Sequence, residues 1–271
     1  MNQQEHQEIR PKLPVLDVEQ YLERINVRQS YQPTLSFLKQ LHRSHLFAIP
    51  FENLDIHHGR KIMLDVKRTF KKVIEKKRGG FCYELNGLFF HLLLQLKFDC
   101  KLISARVFRD DGSLGPEFDH MAIIVRIDGV QWLVDVGFGD SFIEPKRLEP
   151  YQSMLDYNRY FKFEQDPDEN YILLMSKEGV NYERKYLFSL DTREYIQFLD
   201  MCDYQQTDPE SPFRKKKLIT VATKAGRITL TDQLLKTTHL GEETETQLLN
   251  QDEFYSKLEH HFGFTLPRRL Q

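Results

Sequence analysis

The chain divides by texture. Through about residue 98, apolar positions recur every three to four residues behind polar caps. Asp17 can cap DVEQYLERI, Thr34 can cap TLSFLKQLHRSH and Asp65 can cap DVKRTFKKVIEKKR, which predicts three helices. A fourth segment, FCYELNGLFFHLLLQLKF from Phe81 to Phe98, is apolar on nearly every side and predicts a core helix. After Asp99 the pattern changes to β-branched and aromatic runs separated by turn residues: KLISARVF, HMAIIVRI, VQWLVDV, RYFKFEQ, YILLMSK and YERKYLFSL. These predict a strongly twisted sheet or barrel. TREYIQFLDMC returns to helical spacing and leads into QQTDPESPF, which reads as a linker. Two strands, KLITVAT and RITLT, joined around Lys224-Ala225-Gly226, and a helix QDEFYSKLEHHF ending near Gly263 complete the chain. The expectation is an α+β protein in three parts: a helical domain over residues 1–98, a β-barrel domain over 99–204 and an α/β lid over 205–271.

Composition narrows the class of partner. At 271 residues and 40% hydrophobic, the chain can bury a large core. Its 38 Lys and Arg against 40 Asp and Glu give a net charge of -2 and no electrostatic reason to expect nucleic acid or an anionic membrane, so a small-molecule partner is expected. The opening MNQQEHQEIRPKLP lacks an apolar signal core, and no run approaches the roughly 20 apolar residues that span a bilayer, which predicts a cytoplasmic protein. Cys82, Cys100 and Cys202 form no C-x-x-C pair and read as free thiols in a reducing compartment. His57-His58 and His260-His261 lack further metal-ligand spacing and read as loop and helix-surface residues, so no metal is expected. The basic stretch from Lys67-Arg68 to Lys76-Lys77-Arg78 reads as an exposed helix face.

The candidate chemistry lies at Arg78-Gly79-Gly80-Phe81-Cys82. A glycine pair delivers one cysteine to the first turn of a helix, where unpaired amides and the helix dipole favour a thiolate. Its partners follow from a hairpin. Asp128-Gly129 between HMAIIVRI and VQWLVDV signals a two-residue turn. If Ile127 faces Val130, His120 falls opposite Gly137 and shares a face with Asp135, with Cβ atoms roughly 7 to 8 Å apart, close enough to bridge by a hydrogen bond. Thiolate, imidazole and carboxylate are the groups that thiol acyl chemistry requires. A low-pKa Cys82 thiolate paired with a His120 imidazolium is expected. On the residues alone, a cysteine peptidase or transglutaminase-like acyl transferase would use the same triad, and a non-catalytic binder that retains the fold is a third reading.

The strings RGGFCYELN, Ile49-Pro50-Phe51-Glu52-Asn53-Leu54 and Val134-Asp135-Val136-Gly137-Phe138-Gly139 resemble the arylamine N-acetyltransferases, as do the separations of 38 positions from Cys82 to His120 and 15 from His120 to Asp135. The resemblance runs on to Phe262-Gly263-Phe264-Thr265-Leu266-Pro267. It implies a helical domain, barrel and lid related to the papain-like cysteine enzymes, with acetyl-coenzyme A as donor and an arylamine, arylhydrazine or N-hydroxyarylamine as acceptor. It further implies Cys82 as nucleophile, His120 as general base and acid, Asp135 as its orienter, and Phe51 and Phe138 as walls of the acceptor pocket. Arg78 and Glu84 match as supporting charges that would pair near the helix start, and the Tyr83 amide as an oxyanion donor. TDPESPF is similar to a segment beside the family's coenzyme A cleft, so the following Arg214 and Lys215 become candidate phosphate contacts. Asp208 and Glu210 depart from that pattern, standing where small hydroxyl residues are usual.

Overall fold

The computed structural model describes residues 15–28 and 32–267; the opening stretch MNQQEHQEIRPKLP lies outside the described residues. The expected caps are in place. Asp17 accepts from the Gln20 amide at 3.0 Å ahead of α1 (Val18–Arg24), and Thr34 accepts from the Phe37 amide at 3.3 Å ahead of α2 (Leu35–Ala48). A two-residue strand, β1 (Phe51–Glu52), and a single-turn helix, α3 (Leu54–His57), follow, so His57 closes a helix instead of lying in a loop. Asp65 then caps α4 (Val66–Phe70) through the Arg68 amide at 2.9 Å, and the helix continues as a π-turn over Lys71–Glu75. The core helix α5 (Cys82–Gln95) closes this block.

Helix α5 lies against one face of a sheet whose other face forms a barrel interior. The strands are β2 (Asp99–Val107), β3 (His120–Ile127), β4 (Val130–Val134), β5 (Lys146–Arg147), β6 (Met154–Asp156), β7 (Arg159–Gln165), β8 (Tyr171–Ser176) and β9 (Glu183–Phe188). They pair antiparallel in the order β5-β4-β3-β2-β9-β8-β7-β6. The ends nearly meet. Pro150, just beyond β5, bridges Phe163 of β7, and the Tyr151 amide donates to the Phe163 carbonyl at 2.7 Å, leaving a nearly closed barrel. Met121, Ile123 and Val125 of β3 join the helical core, while Ala122 and Ile124 point into the barrel with Leu133, Phe163 and Tyr186. Burial on both faces explains why HMAIIVRI reads as an unbroken apolar run.

The remaining segments fold onto these two layers. A 3-10 turn (Tyr195–Phe198) leads into α6 (Leu199–Thr207), and Ser211 caps a single-turn α7 (Pro212–Lys215), so QQTDPESPF is ordered helix and turn and not a linker. Its Gln205 and Ser211 are buried, with the Ser211 hydroxyl donating to the Gln205 carbonyl at 2.7 Å. Strands β10 (Leu218–Thr223), β11 (Gly226–Thr231), β12 (Leu234–His239) and β13 (Glu242–Gln247) form a second antiparallel sheet covered by α8 (Gln251–Phe262). The first block supplies the edge of this sheet, because β1 pairs with β10 through Phe51 opposite Thr220. Sequence texture missed β12 and β13. All six side chains of β13 are exposed, and cross-strand pairs hold it in place, Thr237 against Thr244 and Lys236 between Glu243 and Glu245. No helix among the described residues is long and apolar enough to cross a membrane.

Candidate active site

The hairpin has the register that Asp-Gly dictates. Ile127 faces Val130, and both turn residues take the left-handed conformation of a two-residue turn, Asp128 at φ 50° and Gly129 at φ 78°. His120 and Asp135 therefore lie on the same, barrel-facing side, and His120 Nε2 sits 2.8 Å from Asp135 Oδ2. A carboxylate only accepts hydrogen bonds, so Nε2 carries the proton and Nδ1 of the neutral ring keeps a free lone pair.

Asp135 is held on all sides. Oδ1 accepts from Asn86 Nδ2 at 2.8 Å and the Gly137 amide at 2.9 Å, while Oδ2 also accepts from the Tyr186 hydroxyl at 3.1 Å. Burial pushes its carboxyl up, but the electrostatic attraction and hydrogen bond of His120, with the hydrogen bonds of Asn86 and the Gly137 amide, hold it below the ordinary carboxylate value. Its own amide donates to His42 Nε2 at 3.2 Å, and His42 Nδ1 stands 2.8 Å from the Ile143 carbonyl. Accepting at Nε2 and donating at Nδ1 fixes His42 as a neutral tautomer, and burial lowers its pKa to about 4.

Asn86 joins the cysteine helix to this hairpin. It follows Cys82 by one helical turn and so shares its face. Its Nδ2 donates to the Met121 carbonyl at 2.6 Å as well as to Asp135, and its Oδ1 accepts from the Val136 amide at 2.9 Å. The contact is close enough to require a glycine. A Cβ on Gly137 would stand 2.9 Å from Cys82 Cα and 2.6 Å from Asn86 Nδ2. The Tyr83 hydroxyl donates to the carbonyls of Phe118 (2.9 Å) and Asp119 (3.1 Å), fixing the turn before His120, in which Phe118 adopts a positive φ of 64°.

Cys82 and His120 consequently line one cavity of about 420 Å³, together with Phe51, Phe138, Phe213, Asp119 and Gln205. Phe138 meets the His120 ring edge-on at 5.2 Å, and Phe51 lies 6.1 Å from the Phe213 ring. Burial pushes the Cys82 thiol up, Asp119, Cys202 and Asp135 push it further, and the Tyr83 amide opposes them. The sequence expectation of a thiolate favoured by the helix start alone is therefore corrected. Among the residues lining the cavity, His120 is the one side chain that can carry positive charge, so a thiolate there requires protonated His120 beside it. The Tyr83 amide points at the sulfur itself.

The glycine pair before Cys82 is required by close packing. Neither Gly79 nor Gly80 has positive φ; a Cβ on Gly79 would fall 2.0 Å from the Pro50 carbonyl oxygen, so the residue serves close packing and not a left-handed turn. Arg78 does not pair with Glu84. Its guanidinium holds Glu52 at 2.6 Å and Asp55 at 2.5 Å, while Glu84 meets Lys72 at 2.9 Å and accepts from the Phe81 amide at 3.2 Å. Lys72 and Arg78 thus leave the otherwise exposed basic helix face for a buried ionic cluster under the start of α5. Arg214 donates to the Thr207 carbonyl and Lys215 pairs with Glu210 at 3.1 Å; neither lines the cavity, although Phe213 does. Among the described residues no group of His, Cys, Asp and Glu side chains could hold a metal ion.

The sequence model of an N-acetyltransferase family matches residues 34–271. The chain is 29% identical to the pineal gland isozyme NAT-10 of arylamine N-acetyltransferase from Gallus gallus, over 94% of this chain and 96% of the relative. It is 28% identical to arylamine N-acetyltransferase 1 of Homo sapiens at the same coverage. Among solved structures, the arylamine N-acetyltransferase from Salmonella typhimurium superposes with a TM-score of 0.86 at 28% identity, covering 91% of this chain and 90% of that one. The enzyme from M. tuberculosis gives 0.85 at 30% identity, covering 91% and 93%. These neighbours share the papain-like arrangement of helical block and barrel seen here. On a match spanning most of its length and a fold shared with these structures, the chain belongs to the arylamine N-acetyltransferase family of acyltransferases.

Proposed function

We propose that the protein transfers an acetyl group from acetyl-coenzyme A to an arylamine, arylhydrazine or N-hydroxyarylamine in two half-reactions through an acetyl-Cys82 thioester. The observation that carries this reading is the shared cavity: Cys82 at a helix start, His120 with its Nδ1 lone pair free, and flat aromatic walls at Phe51, Phe138 and Phe213.

In the first half-reaction His120 Nδ1 takes the thiol proton as Cys82 Sγ bonds to the acetyl carbon. The carbon–sulfur bond to coenzyme A breaks, and His120 returns the proton to the departing thiolate. In the second, the acceptor nitrogen (or the hydroxylamine oxygen) bonds to the acetyl carbon, His120 takes its proton, and the Cys82 thiolate leaves and is reprotonated. Asp135 stays ionised throughout and fixes the imidazole tautomer. Arg214 and Lys215 are the proposed contacts for the donor's phosphates, a reading supported by their position directly after the cavity-lining Phe213. The steady-state pattern tests the reading. Initial rates with both substrates varied give parallel double-reciprocal lines, and Cys82→Ala abolishes product; intersecting lines, or acetylation surviving in that variant, overturn it.

A further inference from the structure

The charge inside the cavity points to the class of acceptor. Two carboxylates line it, Asp119 and Asp140, and they differ in one respect. Asp140 is neutralised by Arg159 at 2.8 Å and Arg227 at 2.9 Å. Asp119 accepts from Gln205 Nε2 at 2.8 Å and from the Val107 amide, both neutral donors; burial pushes its carboxyl up, and the cationic groups that oppose this are the neighbouring His120 and Arg109 on an exposed residue, with no ion pair to a lysine or arginine such as Asp140 has. No lysine or arginine lines the cavity. The fold makes room for this carboxylate: a Cβ on Gly115 would stand 2.2 Å from Asp119 Oδ2. Asp119 also sits next to His120 in sequence, within electrostatic reach of the Cys82 sulfur.

Resting on the acetyl-transfer reading above, we infer that Asp119 is a specificity-determining residue that selects neutral and cationic aromatic amines over amines bearing a carboxylate. An acceptor whose nitrogen reaches Cys82 must place its ring within a cavity of about 420 Å³. A charged ring substituent then shares with Asp119 a cavity roughly 10 Å across, and over such a separation a unit charge at an effective dielectric near 20 changes binding by roughly tenfold or more. Asp119 thereby acts mainly against the wrong acceptor, by like-charge repulsion in a poorly screened space.

The test uses the acetyl-enzyme and three anilines of one shape: para-aminobenzamidine, para-aminobenzamide and para-aminobenzoate. The enzyme is first loaded with acetyl-coenzyme A and its mass recorded. Absence of an acetyl group overturns the reading of the reaction, and the proposal with it. With the acetyl-enzyme formed, deacetylation of the wild type is expected in the order amidinium, amide, carboxylate, with about 100-fold between the extremes. Asp119→Asn, compared only after its own acetyl loading has been recorded by the same mass measurement, narrows that span by about tenfold or more. A wild type that turns over para-aminobenzoate as fast as para-aminobenzamidine overturns the inference while leaving the acetyl-transfer reading intact. So does an unchanged span in the variant.

Discussion

Asp135→Asn changes one atom's chemistry and almost no volume, so it isolates what the carboxylate does. Both oxygens are engaged: Oδ1 by Asn86 (2.8 Å) and the Gly137 amide (2.9 Å), Oδ2 by His120 (2.8 Å) and Tyr186 (3.1 Å). An amide has one acceptor oxygen. The Gly137 N–H is backbone and cannot invert, so the Asn oxygen keeps the Oδ1 place and its NH2 turns toward His120 and Tyr186. The Tyr186 hydroxyl can rotate to accept. His120 can accept only by moving its proton to Nδ1, the nitrogen that must receive the thiol proton. Wrong-tautomer variants of this kind in Ser-His-Asp enzymes lose about 10⁴ in kcat, and a loss of ~10³- to 10⁴-fold is expected here, about 4 to 5.5 kcal/mol of barrier. The assay is the rate of acetyl-Cys82 formation by rapid-quench mass spectrometry, with urea unfolding as the check on the fold. A folded variant that keeps more than about a tenth of the wild-type rate refutes the tautomer argument.

Three further outcomes follow from the same geometry. Gly137→Ala puts a methyl group 2.6 Å from Asn86 Nδ2 and 2.9 Å from Cys82 Cα; the helix must shift, and a stability loss of about 1–3 kcal/mol in urea unfolding should accompany a larger loss of acetylation rate. His42, neutral in the fold with a pKa of about 4 against about 6.5 unfolded, takes up its proton more readily in the unfolded chain. Its contribution is therefore complete above pH 6.5 and is lost as pH falls towards 4, by about 3 kcal/mol in all; stability measured across that window should slope less in His42→Gln, and an identical slope would contradict the assignment. Iodoacetamide alkylation of Cys82 should inflect at lower pH in the wild type than in His120→Ala, because burial and Asp119 push the thiol up and His120 is the one side chain lining the cavity that can take its proton. Equal inflections in the two proteins would rule out the coupling.

What could be read from the sequence was local, or locked to a local register. Asp17, Thr34 and Asp65 cap because a side chain needs only the amide three residues on. His120 and Asp135 could be paired because Asp128-Gly129 sets the hairpin, and strand alternation then carries the register outward. The members of the site that arrive from distant parts of the chain had no such signal. His42 lies on a helix 93 residues before Asp135, and Tyr186 on a strand 51 residues after it. Asn86 was half legible: its place one turn after Cys82 was visible in RGGFCYELN, but the three groups it bonds across the interface were not. Lys72 and Arg78 looked solvent-exposed because their helical spacing is that of a basic surface. The acids that bury them, Glu52, Asp55 and Glu84, are brought there by β1, α3 and α5. The exposed β13 has no apolar face to betray it, and only its neighbour β12 gives it register.

The central claim is that Cys82, joined to the His120-Asp135 hairpin through Asn86, carries the acetyl group between donor and acceptor. Intact-mass measurement of the protein mixed with acetyl-coenzyme A alone, without acceptor, tests it most directly. The account predicts one added acetyl group, located to Cys82 by peptide mapping, absent in Cys82→Ala and discharged by an arylamine. An unchanged wild-type mass, or an acetyl group on another residue that the arylamine discharges, would contradict it.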